Sequence, residues 1–160
     1  MGQKVLLNQM PIAIKDSKID ISSEETTKEL AKDLTHYLKG GEIVYLYGEM
    51  GVGKTTFVRH LINQFQKNKK LHITEVTSPT FNLLNEYDIN DLVIKHYDLF
   101  RLKDESEITN LDLFENNQNI ITLIEWPQLI SKNKSIKTID LIFSYENELN
   151  NRSVKIDGLN

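Results

Sequence analysis

The stretch Gly48-Glu49-Met50-Gly51-Val52-Gly53-Lys54-Thr55-Thr56 decides how the rest of the chain is read. It follows the apolar run Ile43-Val44-Tyr45-Leu46-Tyr47 and precedes Phe57, Val58, Leu61, Ile62 and Phe65. A short continuous apolar run is the pattern of a strand buried on both faces. The apolar residues after the loop recur at the spacing of one buried helix face. Between strand and helix, Gly-x-x-x-x-Gly-Lys-Thr is complete from Gly48 to Thr55. Glycines permit left-handed backbone angles, which let main-chain N–H groups converge on anionic oxygens. Lys54 brings a point charge to β- and γ-phosphates, and the Thr55 hydroxyl is a ligand for Mg²⁺. The helix that begins here adds the positive end of its dipole. The loop is therefore expected to hold a nucleoside triphosphate.

The chain around it has 160 residues, the length of one domain, with 39% hydrophobic and 26% charged residues and a net charge of -4. Such a balance argues against a general grip on nucleic acid, which needs a basic face; contact with RNA through a partner stays open. Without cysteine there is no disulfide, thiolate metal site or cysteine nucleophile. No apolar run approaches the about 18 residues of a membrane span. The N-terminus lacks the apolar core of a secretory signal, and Leu6 stands where a myristoylation signal needs Ser or Thr. A cytoplasmic protein is expected.

Residues 1–17 are mixed in character and expected to be loosely ordered, with residues 18–160 forming the domain. Lys18 to Ile21 alternates like a short strand, and Ser22 to Glu25 reads as a capping box with Ser22 at the N-cap. The helix that follows places Leu30, Ala31, Leu34, Tyr37 and Leu38 on one face and stops at Gly40-Gly41. After the loop's own helix, Thr55 to Phe65, a lysine-rich turn (Lys67, Lys69, Lys70) leads to a strand ending near Val76. Thr80 to Tyr87 and Leu92 to Leu99 read as strands joined at Asp88 to Asp91. Lys103 to Asn116 has weak helical periodicity, and Ile120 to Ile124 is a buried run ending at Glu125. Thr138 to Tyr145 and Ser153 to Ile156 form a last hairpin around Glu146 to Asn151. The order predicts an α/β fold: a single P-loop NTPase domain with a largely parallel central sheet, added antiparallel strands and flanking helices.

P-loop enzymes anchor the metal shell with an acidic residue at the end of a neighbouring buried strand. Asp98 in "HYDLFRL" and Glu125 in "ITLIEWP" both qualify, since ligands of open α/β sheets gather at the carboxyl ends of strands. Asn133 to Ile136, "NKSI", lacks the aspartate of a guanine-reading Asn-Lys-x-Asp, and no Asp-x-x-Gly occurs, which argues against a switch-type GTPase. Sixteen lysines stand against three arginines, Arg59, Arg101 and Arg152. That count disfavours a small-molecule kinase, which neutralises the transferring phosphoryl group with several arginines. Arg59 lies on the outer face of the loop's helix and Arg152 in the last hairpin, leaving Arg101 as the arginine placed to approach the site.

"LYGEMGVGKTTFVRHL", "VTSPTFNLLNEY", "HYDLFRL" and "LIEWP", in this order and spacing, resemble the TsaE (YjeE) family, small bacterial P-loop ATPases required for threonylcarbamoyladenosine modification of tRNA. The likeness runs from about Ser22 to the C-terminal hairpin. It implies a stand-alone, Mg²⁺-dependent ATPase of low intrinsic activity that acts with a TsaB–TsaD complex. By matching motif, Gly48, Glu49, Met50, Gly51, Val52, Gly53, Lys54, Thr55 and Thr56 would hold the ATP phosphates, and Thr55 and Glu125 would ligate Mg²⁺. Asp98 would serve hydrolysis alongside Lys54. Thr77-Ser78-Pro79-Thr80 would form a switch-like loop near the γ-phosphate, with Thr80 and Trp126 among the nucleotide-binding residues. The resemblance also implies adenine contacts from Ser22 to Thr26. Met50 and Val52 replace the family's more usual Leu and Ala without removing a phosphate contact, because backbone makes those contacts.

Plainer readings stand beside these. Ser78-Pro79-Thr80 is a turn by composition, and Trp126 reads equally as a packing residue. His36, His60, His72 and His96 show no ligand spacing, although His96 can share a strand face with Asp98. Two alternatives to the ATPase remain: a small-molecule kinase, and a nucleotide-dependent binding module whose hydrolysis is incidental. Direct contact with tRNA is left undecided by the sequence.

Overall fold

The computed structural model describes residues 18–79, 81–115, 117–131, 135–147 and 150–159. The expectations for residues 1–17 and for Thr80 lie outside the described residues. Seven strands form one sheet: β1 (Lys18–Asp20), β2 (Ile43–Tyr47), β3 (Leu84–Ile89), β4 (Leu92–Asp98), β5 (Ile120–Glu125), β6 (Thr138–Tyr145) and β7 (Arg152–Asp157). Their spatial order is β1-β7-β6-β2-β5-β4-β3. β2 runs parallel to both β5 and β6, and β4 runs parallel to β5. The remaining pairs are antiparallel. The expected α/β class, a parallel centre with antiparallel additions, is the one observed.

Burial explains the centre. Every residue of β5 is buried, as a strand covered on both faces requires. In β2 the alternation of side chains sends Val44 and Leu46 into one core cluster, and Ile43 and Tyr45 into another. On the first face lie the helices α1 (Glu24–Leu34) and α2 (Lys54–Asn68), which bury Leu30, Ala31 and Leu34 with Phe57, Val58, Leu61 and Ile62. On the second face Tyr97, Leu99, Leu113, Ile124 and Ile136 pack under the short helix α3 (Glu105–Ile108) and the turns after it.

Five local expectations are corrected. The N-cap of α1 is Ser23, whose hydroxyl accepts from the Glu25 N–H at 3.2 Å, so the capping box on Ser22 does not form. Ser22 is engaged elsewhere: its hydroxyl oxygen accepts from the Arg152 N–H at 2.9 Å. The helix ends at Leu34, short of Gly40-Gly41, yet Leu38 is still buried. Gly40 has its own reason, since a Cβ there would lie 1.7 Å from the Gln118 carbonyl oxygen at φ 129°.

Residues 71–79 contain no strand. Thr74, near the middle of this segment, is bonded by side chains of α2 instead of by a ladder. Asn63 Nδ2 donates to the Thr74 carbonyl at 3.1 Å, the Thr74 N–H donates to Gln66 Oε1 at 3.2 Å, and Gln66 Nε2 donates to Thr74 Oγ1 at 2.8 Å. β3 starts at Leu84, not Thr80, because Leu83 adopts φ 66° and breaks the extended chain. Finally, the weak helical pattern of 103–116 yields only the single turn of α3 and a 3₁₀ turn at Thr109–Leu111; Asn116 lies outside the described residues.

Candidate functional site

β2 delivers the chain into the loop, and α2 carries it away from Lys54. The parallel neighbour β5 ends at Glu125, beside Asp98 at the end of β4, and these two residues are register partners. Carboxyl ends of adjacent parallel strands therefore meet at the start of a helix, the place where open α/β sheets take ligands. A cleft of about 330 Å³ opens there.

Glu125 is buried, and both its oxygens lie 3.3 Å from Thr55 Oγ1. Its Oε2 is also 2.6 Å from Nε2 of the buried His96. Asp98 accepts from the Ser78 hydroxyl at 2.9 Å and from the Phe100 N–H at 3.0 Å. Lys54 is turned back on the loop: its ammonium donates to the Gly48 carbonyl and lies 3.6 Å from the centre of the Trp126 ring. A cation over an indole face is attracted by the ring quadrupole. Burial pushes the Lys54 ammonium below its ordinary value, and the carboxylates of Glu125 and then Asp98 pull it partly back. Trp126 reaches this position from a left-handed backbone, φ 59°, at the end of β5.

The loop is built for close approach. Gly48 has φ 145°, and a Cβ on it would stand 2.9 Å from both the Phe143 carbonyl oxygen and Val52 Cγ1. The Tyr145 hydroxyl braces the loop by donating to the Met50 carbonyl at 3.3 Å.

The donor chemistry fits Mg²⁺ in a nucleotide complex. Thr55, Glu125 and Asp98 offer hard oxygen atoms, and among the described residues no group of three or more His, Cys, Asp or Glu could hold an ion by itself. A cation here would draw its remaining ligands from phosphate and water, the habit of Mg²⁺.

Against known proteins, residues 21–154 match the family model described as "Threonylcarbamoyl adenosine biosynthesis protein TsaE". The chain belongs to the TsaE family. Among its relatives, the "tRNA threonylcarbamoyladenosine biosynthesis protein TsaE" of Rickettsia conorii is 44% identical over 110 residues, covering 69% of this chain and 61% of the relative. The chain thus spans about three fifths of that relative's length. The protein of the same name from Bacillus subtilis is 38% identical over 109 residues, 68% of this chain and 65% of the relative. The crystal structure of Bacillus subtilis YdiB shares the fold, with a TM-score of 0.66 at 21% identity over 90% of this chain and 86% of that one.

Most residues that the TsaE resemblance singles out meet at the cleft. Met50, Gly51, Gly53, Lys54, Thr55, Thr56, Asp98, Glu125 and Trp126 line it, joined by Ser78 of the expected switch-like segment. Gly48 takes part through its carbonyl, which holds Lys54. Glu49 is exposed and Val52 is buried in the core; neither lines the cleft. Of the segment expected near the base, Ser22 touches Arg152, and Glu24 is bonded to His60 at 2.9 Å.

Three participants escaped the sequence reading of this TsaE-family chain. His96 shows no ligand spacing in the sequence, and in the structure it is the partner of Glu125; its position two residues before Asp98 is the one signal for it. Phe100 packs on Trp126, ring centroids 4.8 Å apart, and lines the cleft. Arg152, expected in the last hairpin, lines the cleft too. No local pattern announces that, because it depends on β7 lying beside β6 and on β6 lying beside β2.

Proposed function

We propose that this chain is an Mg²⁺-dependent ATPase that acts in tRNA threonylcarbamoyladenosine synthesis together with a TsaB–TsaD complex. The observation that carries the ATPase reading is the meeting of Lys54, Thr55, Glu125 and Asp98 at one cleft beside a complete phosphate-binding loop. The names of the TsaE-family relatives support the pathway.

In this reading the loop N–H groups and the start of α2 receive the phosphates. Lys54 leaves the Gly48 carbonyl and the Trp126 ring for the β- and γ-phosphate oxygens. Thr55 and Glu125 would hold Mg²⁺, which would supply neutralisation of phosphate charge. Asp98, fixed by Ser78 and by the Phe100 N–H, is positioned to orient the attacking water. Without an Asn-Lys-x-Asp motif to read guanine, ATP is preferred to GTP.

Intrinsic turnover is slow on this reading. An arginine placed on the transition-state phosphates is worth about 10³–10⁵ in turnover. Arg101, the candidate on the γ-phosphate side, is exposed, and its guanidinium lies 5.2 Å from the centre of the Phe81 ring. A partner that completes the site, or that reads bound ATP, would account for the output. The experiment is reconstitution of tRNA modification by TsaB–TsaD with and without this chain, with hydrolysis measured in parallel. Modification that depends on the chain and on ATP supports the reading. Fast hydrolysis by the chain alone, with no effect on modification, overturns it.

A further inference from the structure

Arg152 opens β7, two strands from β2 on the side away from β5 and β4. The cleft is therefore bounded by Asp98 and Glu125 at one end and by Arg152 at the other, with the first turn of α2 between them. At the Arg152 end the loop comes very near. A Cβ built on Gly53 would lie 3.9 Å from Arg152 Nη1.

The side chain is anchored without a direct ion pair, although, behind the hydrogen bond from His60, its charge helps to hold the Glu24 carboxyl below the usual range, and Asp20 and Glu146 line the same outer cleft as Arg152. Its backbone N–H donates to the Ser22 hydroxyl at 2.9 Å, and Nη2 donates to the Ser22 carbonyl at 3.4 Å. Nε is buried with no hydrogen-bond partner among the described residues. None of the ion pairs among the described residues involves Arg152. A guanidinium offers five donors in a fixed fork suited to phosphate. Held beside a phosphate-binding loop with its buried Nε unpaired, it is placed to receive a phosphate oxygen.

Resting on the nucleotide-binding reading given above, we propose that Arg152 binds the α-phosphate of the nucleotide and so fixes the nucleoside end of the cleft. The triphosphate has a direction. With its γ-phosphate at Lys54, Glu125 and Asp98, the chain of phosphates runs along Gly53 and Thr56 toward β7. Arg152 is thus a binding residue for diphosphate and triphosphate alike. It does not act on the transferring phosphoryl group, which lies at the far end.

Calorimetric titration of the full chain with ATP, ADP and pyrophosphate, in the presence of Mg²⁺, tests this. Arg152→Ala should weaken ATP and ADP by the same factor, about tenfold or more for a lost charge-assisted contact. Pyrophosphate, held by the loop and Lys54, should bind as in the wild type. Arg152→Lys, which keeps charge but loses the fork, should show a smaller loss, again equal for ATP and ADP, and it carries the test if the alanine variant does not fold. A loss larger for ATP than for ADP would put the guanidinium on the γ-phosphate and overturn the proposal. Unchanged affinities, or a loss shared by pyrophosphate, would overturn it as well. Failure of the wild type to bind any nucleotide would instead sink the nucleotide reading itself, and this proposal with it.

Discussion

His96 Nε2 lies 2.6 Å from Glu125 Oε2, and both residues are buried. The pair bridges β4 and β5, so the orientation of the carboxylate that faces Thr55 is set by an imidazole from the neighbouring strand. His96→Leu would leave a buried carboxylate without one of its donors, at a cost of about 1–3 kcal/mol. In a chain of this size that corresponds to a fall in Tm of roughly 2–4 °C for each kcal/mol. The concentration of Mg²⁺ needed for tight ATP binding should rise, and His96→Gln, which retains an N–H donor, should recover part of it. Titrations of ATP at a series of Mg²⁺ concentrations decide the matter. An unchanged Mg²⁺ requirement in His96→Leu would reduce the pair to a packing contact.

Lys54→Ala and Thr55→Ala should both abolish ATP hydrolysis, for separable reasons. The lysine supplies charge to the phosphates whether or not a metal is present, so its loss weakens nucleotide binding even in chelator. The threonine supplies a metal ligand, so its loss matters mainly with Mg²⁺ present. Equal ATP affinities for wild type and Lys54→Ala would remove the basis for the loop assignment.

Glu125 and Asp98 are register partners with different surroundings, which predicts different phenotypes. Glu125→Ala should raise the Mg²⁺ concentration required for hydrolysis. Asp98→Ala should cut turnover and leave ATP binding nearly intact, since Asp98 is held by Ser78 and not by Thr55. Binding and turnover are measured separately for each variant. The opposite pattern would exchange their roles.

The Lys54 ammonium has its pKa lowered from the ordinary 10.5, first by burial. Folding therefore disfavours its charged form, and a phosphate brought beside it favours that form again. By linkage, nucleotide affinity is full below the pKa of the free protein and falls as pH rises through it, on the acid side of 10.5. ATP affinity measured from pH 7 upward should decline through that range, and Lys54→Arg, which stays charged, should lack the decline. A flat profile in the wild type would mean that Lys54 does not contact the phosphates.

Elements whose partners are near in sequence were readable. β2 and α2 follow from burial and helical spacing, and the loop between them follows from its glycines. The strand expected near Val76 is absent: Leu71 and Ile73 alternate with polar residues as a strand would, but Glu75 breaks the pattern, and Asn63 and Gln66 satisfy Thr74 from the helix. The N-cap is Ser23, one residue after the expected Ser22: the two serines are chemically alike, and only the position of β7 assigns Ser22 to Arg152. The site divides in the same way. Lys54 and Thr55 belong to a contiguous motif, and Glu125 and Asp98 end recognisable strands. His96 and Arg152 acquire their places only from strand pairing across the sheet.

The chain contains one tryptophan, and an ammonium group sits on its ring. A positive charge against an indole face alters the energy of its excited state, so the emission of Trp126 depends on where Lys54 lies. When the ammonium is drawn from the ring to a phosphate, that emission must change in wavelength or yield. Nucleotide occupancy can then be followed in the unmodified protein by its intrinsic fluorescence, with no second indole to dilute the signal.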